Sequence, residues 1–487
     1  MTRIRNVAGT ITKTTVGNHN IYSEGNIVQN AGGTITETGD EKGVSFGKPK
    51  NAPKIENKIL KKFLVHFRRP KEYRGEFGFD WLREEYIYPI VTVTNDNSGL
   101  AINVPKPLCA TANALKLEYL KDVSNPINPY GVKYYPAWLS IFPATTSQQF
   151  AHGSSMHKKG VFLDLQFDEL ETMVGDKTEI ILETSNPFLK ITPNKFPISD
   201  VLSSGKKSRV INSKNINYYK LGKKVNVKCT DGALTKHEEI KVFAKLDNKK
   251  VEVGKLMVYK NNIIPKAEIV VINVITSAKK ATLKDDYQYL FKNQSFNQSL
   301  IRAEVDVDTQ FDLTKLSSNA DVGTFLANCN TMGASAIRDS FETLYNKYGK
   351  YKVAGGIDGS TNKKTYLFFT TLAAGNVLGI CSLKSNNIWG NLYLIFNSAL
   401  LHDHTIVHEC GHSLSLPHVF QSGTSAKYTF YHGYTDNYMD YTWQKGLPAP
   451  GGVFYSTGNN KYNGKMYSFF KWQWDIMRGD RSLITNY

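Results

Sequence analysis

The run His402-Asp-His-Thr-Ile-Val-His408-Glu409-Cys-Gly-His412-Ser-Leu-Ser-Leu-Pro-His418 holds five of the chain's eleven histidines. If this run is helical, His408 and His412 lie one turn apart on the same face, because residues i and i+4 are neighbours on a 3.6-residue period. Their imidazoles can then bind one metal ion. A catalytic zinc site needs three protein ligands and an open position for water, and His418 supplies the third ligand after the helix ends. Glu409 then lies beside the metal as a general base.

The same spacing argues against the other residues of the run as ligands. His404 shares the helical stripe but lies two turns from His412, roughly 12 Å along the axis. We therefore expect His404 to be a polar residue of the first turn, with Asp403 as the N-cap, and His402 has no stronger claim. Cys410 points away from the stripe and is expected to be a small buried apolar residue.

The approach of His418 requires a sharp turn. The pattern H-E-x-x-H alone also arises by chance in amphipathic helices, but its extension by a third histidine makes chance a poor explanation. The usual longer pattern has glycine three residues before the third histidine, and Ser415 stands there. A serine in a left-handed conformation costs roughly 1 kcal/mol. Pro417 offsets part of that cost, since it stops the helix and stiffens the chain before His418.

A second motif follows downstream, Thr435-Asp-Asn-Tyr-Met439-Asp-Tyr441. Together the two motifs resemble those of the metzincin clan of zinc metallopeptidases, and their local sequences most resemble its bacterial, pappalysin-like side. The resemblance covers roughly the last 220 residues. It implies a Zn²⁺ cofactor, a protein or peptide substrate, and a turn in which Met439 forms a hydrophobic floor beneath the histidines. It also implies that Tyr441 approaches the zinc or the oxyanion, with simple core packing as an equal alternative.

These residues favour hydrolysis of peptide bonds. Zn²⁺ on His408, His412 and His418 lowers the pKa of a bound water and polarises the scissile carbonyl. Glu409 takes the proton from that water and passes it to the leaving amine, and Tyr441 would stabilise the oxyanion. Two other functions stay open. One is a zinc amidase that acts on cell-wall peptides, and the other is a non-catalytic adaptor or carrier of a secretion apparatus.

Composition predicts several domains, because 487 residues exceed the size of one core. The net charge is +17, with the excess upstream of residue 401. The lysine-rich stretches lack a nucleic-acid-binding signature, so we expect a solvated basic surface and no nucleic-acid partner. Five scattered cysteines without a C-x-x-C pair argue against a disulfide framework. The apolar runs are too short for a transmembrane helix, and the first residues lack the apolar core of a secretory signal.

The predicted fold is multidomain, with a β-rich N-terminal half followed by an α+β metzincin-like zinc peptidase domain. A Gly/Thr/Asn-rich segment at 1–55 carries an internal repeat, in which Ala8-Gly-Thr-Ile-Thr returns as Ala31-Gly-Gly-Thr-Ile-Thr, and it is expected to serve delivery or docking. β-Sandwich-like domains are predicted at 56–158 and 159–262, and the peptidase domain at 263–487. Within that domain the patterns predict strands at 267–275, 364–371 and 391–397, a helix around 335–348, and a helical aromatic segment at 467–477. Asn391–Phe396 resembles the edge strand that binds extended substrates.

A further resemblance concerns delivery. The N-terminal repeat, followed by Phe63-Leu-Val-His-Phe-Arg-Arg-Pro70 and Phe77-Gly-Phe-Asp-Trp-Leu-Arg83, resembles the start of toxin-like effectors of Bacteroidetes-type bacteria. Those effectors are associated with contractile, type VI-like secretion. The resemblance implies synthesis in the bacterial cytoplasm without a classical signal peptide, and secretion into a target cell. It also implies a component of the secretion apparatus that binds residues 1–55, and an immunity protein.

Overall fold

The computed structural model describes residues 59–144, 156–211, 213–284, 287–383, 389–421, 427–449 and 454–487. The predicted repeat segment at 1–55 lies outside the described residues. From Leu60 onward these residues belong to one compact unit, Leu60–Tyr487. Within it the chain is β-rich and forms several sheets, as predicted.

The described strands before residue 260 are β1 (Phe63–Arg68), β2 (Gly78–Asp80), β3 (Val91–Asn95), β4 (Ala101–Lys106), β5 (Ala137–Ser140), β6 (Val161–Glu169), β7 (Glu179–Glu183), β8 (Leu189–Thr192), β9 (Lys195–Pro197), β10 (Lys207–Ile211), β11 (Lys214–Cys229), β12 (Glu238–Leu246) and β13 (Lys249–Val258). Most of them form two large sheets. One sheet has the order β1-β6-β11-β10, with β8 also paired to β11. The other has the order β2-β5-β13-β12-β7-β9, and β3 and β4 form a separate hairpin.

The two large sheets share one buried core. Alternate residues of a strand face the same side, and Phe63, Val65 and Phe67 of β1 are buried in the same apolar cluster as Val242 of β12. β1 lies directly against β13, because a Cβ atom on Gly254 would come within 2.2 Å of the Val65 carbonyl oxygen. The sheets therefore form a single sandwich.

Strands from both predicted β-rich domains take part in this sandwich. β1 pairs with β6 in the first sheet, and β5 pairs with β13 in the second. The boundary predicted between 56–158 and 159–262 therefore falls inside one sandwich instead of between two domains. A hydrophobic pattern indicates where strands are, but it does not say which distant strand each one pairs with.

A third sheet follows the sandwich in the chain. Its strands are β14 (Lys266–Ile275), β15 (Arg302–Asp312), β16 (Lys364–Thr370), β17 (Gly379–Leu383) and β18 (Trp389–Ile395). A separate hairpin further along the chain consists of β19 (Trp443–Pro448) and β20 (Phe454–Asn459). The sheet has the order β15-β14-β16-β18-β17, and β19 pairs with β20. The first four strands in that order are parallel, whereas β17 runs antiparallel to β18 at the edge.

The three strands predicted in this region are confirmed as β14, β16 and β18. The predicted edge strand is wrong. Asn391–Phe396 falls on β18, which lies inside the sheet between β16 and β17. The edge is β17, whose short sequence carries no strong strand pattern and follows β16 after a short connection.

The α-helices in the described part of the chain are α1 (Glu84–Ile87), α2 (Ala112–Leu120), α3 (Met156–Lys159), α4 (Ile198–Ser203), α5 (Tyr287–Asn293), α6 (Ala320–Asn328), α7 (Ala334–Tyr348), α8 (Asp403–His412) and α9 (Lys471–Arg478). Some of these helices pack on the two faces of the third sheet. Short 3-10 turns lie at Pro129–Gly131, Phe296–Ser299, Leu313–Leu316, Cys329–Thr331 and Asn397–Ala399. α6 and α7 cover one face, and α7 confirms the predicted helix at 335–348.

The other face of the third sheet packs on α8, which carries the histidine motif. Ile406 and Val407 of α8 lie in the same buried cluster as Leu367 of β16 and Tyr393 of β18. That cluster continues into the core of the sandwich, so the motif helix lies between the third sheet and the rest of the unit. In the described part of the chain, no helix is both long and apolar enough to cross a membrane.

Candidate metal centre

Helix α8 places two of the predicted ligands side by side. His408 and His412 are both buried, and their ring centroids lie 5.0 Å apart. The N-cap is His402 and not Asp403 as predicted, and Asp403 is the first helical residue and pairs with Lys284. An acidic side chain also stabilises a first helical turn, which is why the local pattern did not distinguish the two positions.

The chain reverses after α8 through Ser415, which has a φ of 62°. This left-handed conformation is the one that the glycine of the usual pattern adopts without strain. Here the serine side chain compensates, because its Oγ donates a hydrogen bond of 2.5 Å to Asp480 Oδ2. The turn also brings the Leu416 carbonyl within 2.6 Å of His412 Nδ1. Ser415 therefore adopts the left-handed conformation that this turn needs, although the usual pattern has glycine there.

This turn returns His418 to the helix. The possible ligand atoms of His408, His412 and His418 all lie within 4.8 Å of one another, and the Nε2 atoms of His408 and His418 are 3.1 Å apart. His418 also stacks on Phe420, with ring centroids 4.9 Å apart. The three histidines predicted from spacing thus form one group that could hold a metal ion.

Hydrogen bonds on the far side of the rings direct the free nitrogens toward this group. His408 Nδ1 donates to the Tyr438 carbonyl at 2.8 Å, and His412 Nδ1 donates to the Leu416 carbonyl. A carbonyl can only accept, so both rings carry a proton on Nδ1 and a lone pair on Nε2. This is the arrangement in which backbone carbonyls orient metal-binding histidines.

Burial keeps these imidazoles neutral. It lowers the pKa of His408 to about 4, and it lowers the pKa values of His412 and His418 well below their usual range. A metal ligand must be unprotonated, so the donor set fits a divalent cation at neutral pH. Zinc accepts such nitrogen ligands in tetrahedral sites.

Glu409 is also buried, and one of its carboxylate oxygens lies within 4.8 Å of a His412 nitrogen. Burial raises the pKa of its carboxyl group to about 8, and a cation on the three imidazoles would lower it again. The carboxylate has room because Gly379 of β17 has no side chain: a Cβ there would lie 2.8 Å from Glu409 Oε1. Glu409 Oε1 or Oε2, Cys381 Sγ and one His412 nitrogen form a second group within 4.8 Å.

Met439 packs directly under the motif helix. It is fully buried, and a Cβ on Gly411 would meet its Sδ atom at 2.5 Å. Asn437 Oδ1 accepts a hydrogen bond from the Met439 amide, and the Asp440 carboxylate accepts bonds from the amides of Gly433 and Thr435. The turn predicted around Met439 is therefore a rigid, apolar support for the helix that carries His408 and His412.

Tyr441 lies over the cluster. Its ring centroid is 5.4 Å from that of His408 and 5.0 Å from that of His418. Burial, and then the nearby Glu409 carboxylate, raise the pKa of the Tyr441 phenol, which therefore remains a hydrogen-bond donor at neutral pH. Of the two alternatives for this residue, its position beside the histidines favours a role in the site.

A cleft of about 270 Å³ opens beside this group. Its lining residues are Asn376, Val377, Leu378, Gly379, His404, Thr405, His408, Glu409, Tyr441, Thr442 and Trp443. His404 thus lines the cleft but belongs to neither possible ligand group. Cys410 is fully buried, as predicted.

Several residues around the histidine group were not predicted from the sequence. Trp389 of β18 stacks on His412 at a centroid distance of 4.0 Å. His432 packs between Phe420 and Trp443, at 4.2 and 4.5 Å. These residues lie far from the motif in sequence or carry no motif of their own, so no local signal identifies them. The β17 residues Gly379 and Cys381 were missed for the same reason.

No protein-family model matches the chain, and no curated protein matches it significantly. Function has to be inferred from the chemistry of the site.

Proposed function

We propose that the protein is a zinc-dependent metalloendopeptidase of the metzincin type. The observation that carries this proposal is the buried group of His408, His412 and His418, with the Glu409 carboxylate beside it. Three neutral imidazoles and an adjacent general base are the parts that metal-assisted hydrolysis requires. The apolar turn at Met439 and the antiparallel edge strand β17 next to the cleft further support the metzincin resemblance.

The chain's own residues would divide the chemistry among them. Bound to the three histidines, Zn²⁺ would supply a Lewis acid that acidifies water and polarises a carbonyl. Glu409 accepts a proton from the attacking water and donates it to the leaving amine, a transfer typically worth ~10² to 10⁴ in rate. Tyr441 donates a hydrogen bond to the oxyanion of the tetrahedral intermediate.

Metal analysis of purified variants tests the ligand set. Replacing His418 with alanine should lower the zinc content of the protein well below one equivalent, because two imidazoles remain. His404→Ala is the matched control, since His404 is a nearby cleft histidine outside the ligand group, and it should retain its zinc. An unchanged zinc content in His418→Ala would mean that the third ligand is wrong.

Chelation distinguishes a catalytic metal from a structural one. Cleavage of an unfolded protein should stop on removal of zinc and return on its addition, with the fold intact throughout. A parallel incubation with peptidoglycan tests the alternative of a cell-wall amidase. Hydrolysis of peptidoglycan without hydrolysis of unfolded protein would replace the endopeptidase by the amidase.

We also propose that the peptidase is a toxin-like effector exported by a contractile secretion system. This proposal is based on the sequence resemblance of residues 1–55 and the segments that follow them. Deletion of residues 1–55 should abolish secretion while the purified protein keeps its hydrolytic activity. Equal secretion of the shortened chain would reject the delivery role of this segment.

A further inference from the structure

The second possible ligand group involves a residue that the proposed hydrolysis does not use. Cys381 Sγ, a Glu409 carboxylate oxygen and a His412 nitrogen lie within 4.8 Å of one another. Thiolate, carboxylate and imidazole are all ligands of divalent transition metals. Cys381 is thus more than an isolated cysteine, because two further ligand groups converge on it.

Strand β17 holds Cys381 in this position. Residues i and i+2 of a strand face the same side, so Cys381 faces the same side as Gly379, the residue whose missing side chain accommodates Glu409. Cys381 is paired with Tyr393 of β18, and its carbonyl accepts a hydrogen bond of 3.0 Å from Arg338. The thiol is therefore directed at the carboxylate by a paired strand and not by a loop.

His412 cannot serve two ions. Both groups include His412, whose Nδ1 is bonded to the Leu416 carbonyl, so only its Nε2 is free to bind an ion. With an ion on the three histidines, only Cys381 and Glu409 remain for a second ion. Two protein ligands with water in the other positions make a weaker site than three histidines do.

We propose that Cys381 and Glu409 form a second, inhibitory site for a thiophilic divalent cation, such as Cd²⁺ or excess Zn²⁺. Binding replaces the S–H proton by an S–metal bond and releases that proton to solvent, without oxidation or reduction. Glu409 is then occupied as a ligand and no longer accepts a proton from water. The inhibitory consequence depends on the proposed peptidase function, whereas the binding itself does not.

Titration of the zinc-loaded full chain with Cd²⁺ tests the site without any activity measurement. A cadmium–thiolate bond produces an ultraviolet charge-transfer band, which histidine and carboxylate ligands do not produce. Because the histidine group already holds zinc, the band should develop as Cd²⁺ is added to the zinc-loaded chain. Cys381→Ser should lose the band and bind Cd²⁺ at this second site at least about tenfold more weakly, as expected when a metal's coordination is disturbed. Cys329→Ser, which changes a buried cysteine that does not line the cleft, should behave like the unmodified chain.

Cleavage assays then test the consequence. Excess Zn²⁺ should inhibit the unmodified chain and Cys329→Ser, and Cys381→Ser should remain active at the same concentration. A thiolate band that persists in Cys381→Ser would overturn the proposed ligand, and so would the absence of the band in the unmodified chain. Equal inhibition of all three proteins would overturn the inhibitory role. If the unmodified chain bound no first equivalent of zinc, or hydrolysed no protein at any zinc concentration, the result would instead count against the proposed function.

Discussion

Ser415 shows how one residue can depart from a motif and still make its turn. A serine at φ 62° pays a steric cost that glycine avoids. The hydrogen bond from its Oγ to Asp480 offsets part of that cost, and it also ties the turn to the chain segment after α9. The path to His418 therefore depends on a contact that only the folded chain provides.

Substitutions at Ser415 separate these two effects. Ser415→Ala keeps the left-handed strain and loses the hydrogen bond, so its free energy of unfolding should fall by about 0.5–1.5 kcal/mol. Ser415→Gly also loses the hydrogen bond but relieves about 1 kcal/mol of strain. Its free energy of unfolding should therefore be close to that of the original protein. Thermal unfolding of the metal-free proteins measures the difference. A larger loss for glycine than for alanine would contradict this description of the turn.

The candidate metal ligands were predictable because they follow a local rule. A helical repeat places His408 and His412 on one face, and the structure brings His418 to them. Met439 was assigned from a resemblance, and it packs against Gly411. Gly379 and Cys381 were not predictable, since their proximity to Glu409 arises from the pairing of β17 with β18 and not from any spacing in the sequence.

At the scale of elements, the turn at Met439 is held by the start of the sandwich. Arg69, just after β1, and Arg83, just before α1, both contact the carboxylate of Asp436, which is fully buried. Arg83 Nη1 lies 2.6 Å from Asp436 Oδ1. Burial alone would raise the pKa of Asp436, but the two guanidinium groups outweigh it and hold the pKa well below its usual range.

This network predicts a pH-dependent effect of Arg83→Gln. Near neutral pH, breaking the buried pair should lower the free energy of unfolding by about 3 kcal/mol. The folded-state pKa of Asp436 is depressed, so the stabilisation is fully present above the unfolded-state pKa of ~3.9 and is lost as the pH falls toward the folded-state value. The difference between the two proteins should therefore narrow below about pH 4.

Thermal unfolding of the metal-free proteins at several pH values provides the measurement. Arg74→Gln is the control, because Arg74 is exposed and lies in the same segment of the chain. It should change the unfolding temperature little at any pH. A gap between Arg83→Gln and the original protein that widens in acid would contradict the assigned ion pairs.

Elements were predicted better than their arrangement. The strands β14, β16 and β18 and the helix α7 follow clear hydrophobic periodicity, which a sequence displays directly. The choice of Asn391–Phe396 as the edge strand was wrong, since position within a sheet depends on long-range pairing. The division of 56–262 into two domains has the same origin: its strands alternate between two sheets of one sandwich.

At the scale of the molecule, the upstream half is built into the half that carries the histidine cluster. The amine of Lys471 in α9 is 3.1 Å from Glu118 of α2, and the Lys471 amide donates to Asp80 of β2. These groups are all buried. Together with the arginines on Asp436, they make residues 60–487 one compact unit and not a carrier joined to a separable peptidase.

Two truncated chains test this unity. The chain 60–487 should bind zinc and melt cooperatively, because it retains every contact described above. The predicted peptidase domain 263–487 should be degraded rapidly by added protease and should bind little zinc, since Asp436 and Lys471 lose their buried partners. Limited proteolysis with metal analysis measures both properties. A stable, zinc-loaded 263–487 fragment would show that the two halves are independent.

In the proposed mechanism, Zn²⁺ on the histidine cluster and Glu409 as the base together hydrolyse peptide bonds. The most direct measurement is a mass-spectrometric profile of the bonds cleaved in an unfolded protein by the zinc-loaded chain and by Glu409→Ala. We expect defined cleavage sites from the former, and from the variant a loss of about 10²-fold or more in rate with the zinc content unchanged. Equal cleavage by the zinc-loaded Glu409→Ala protein would contradict the mechanism.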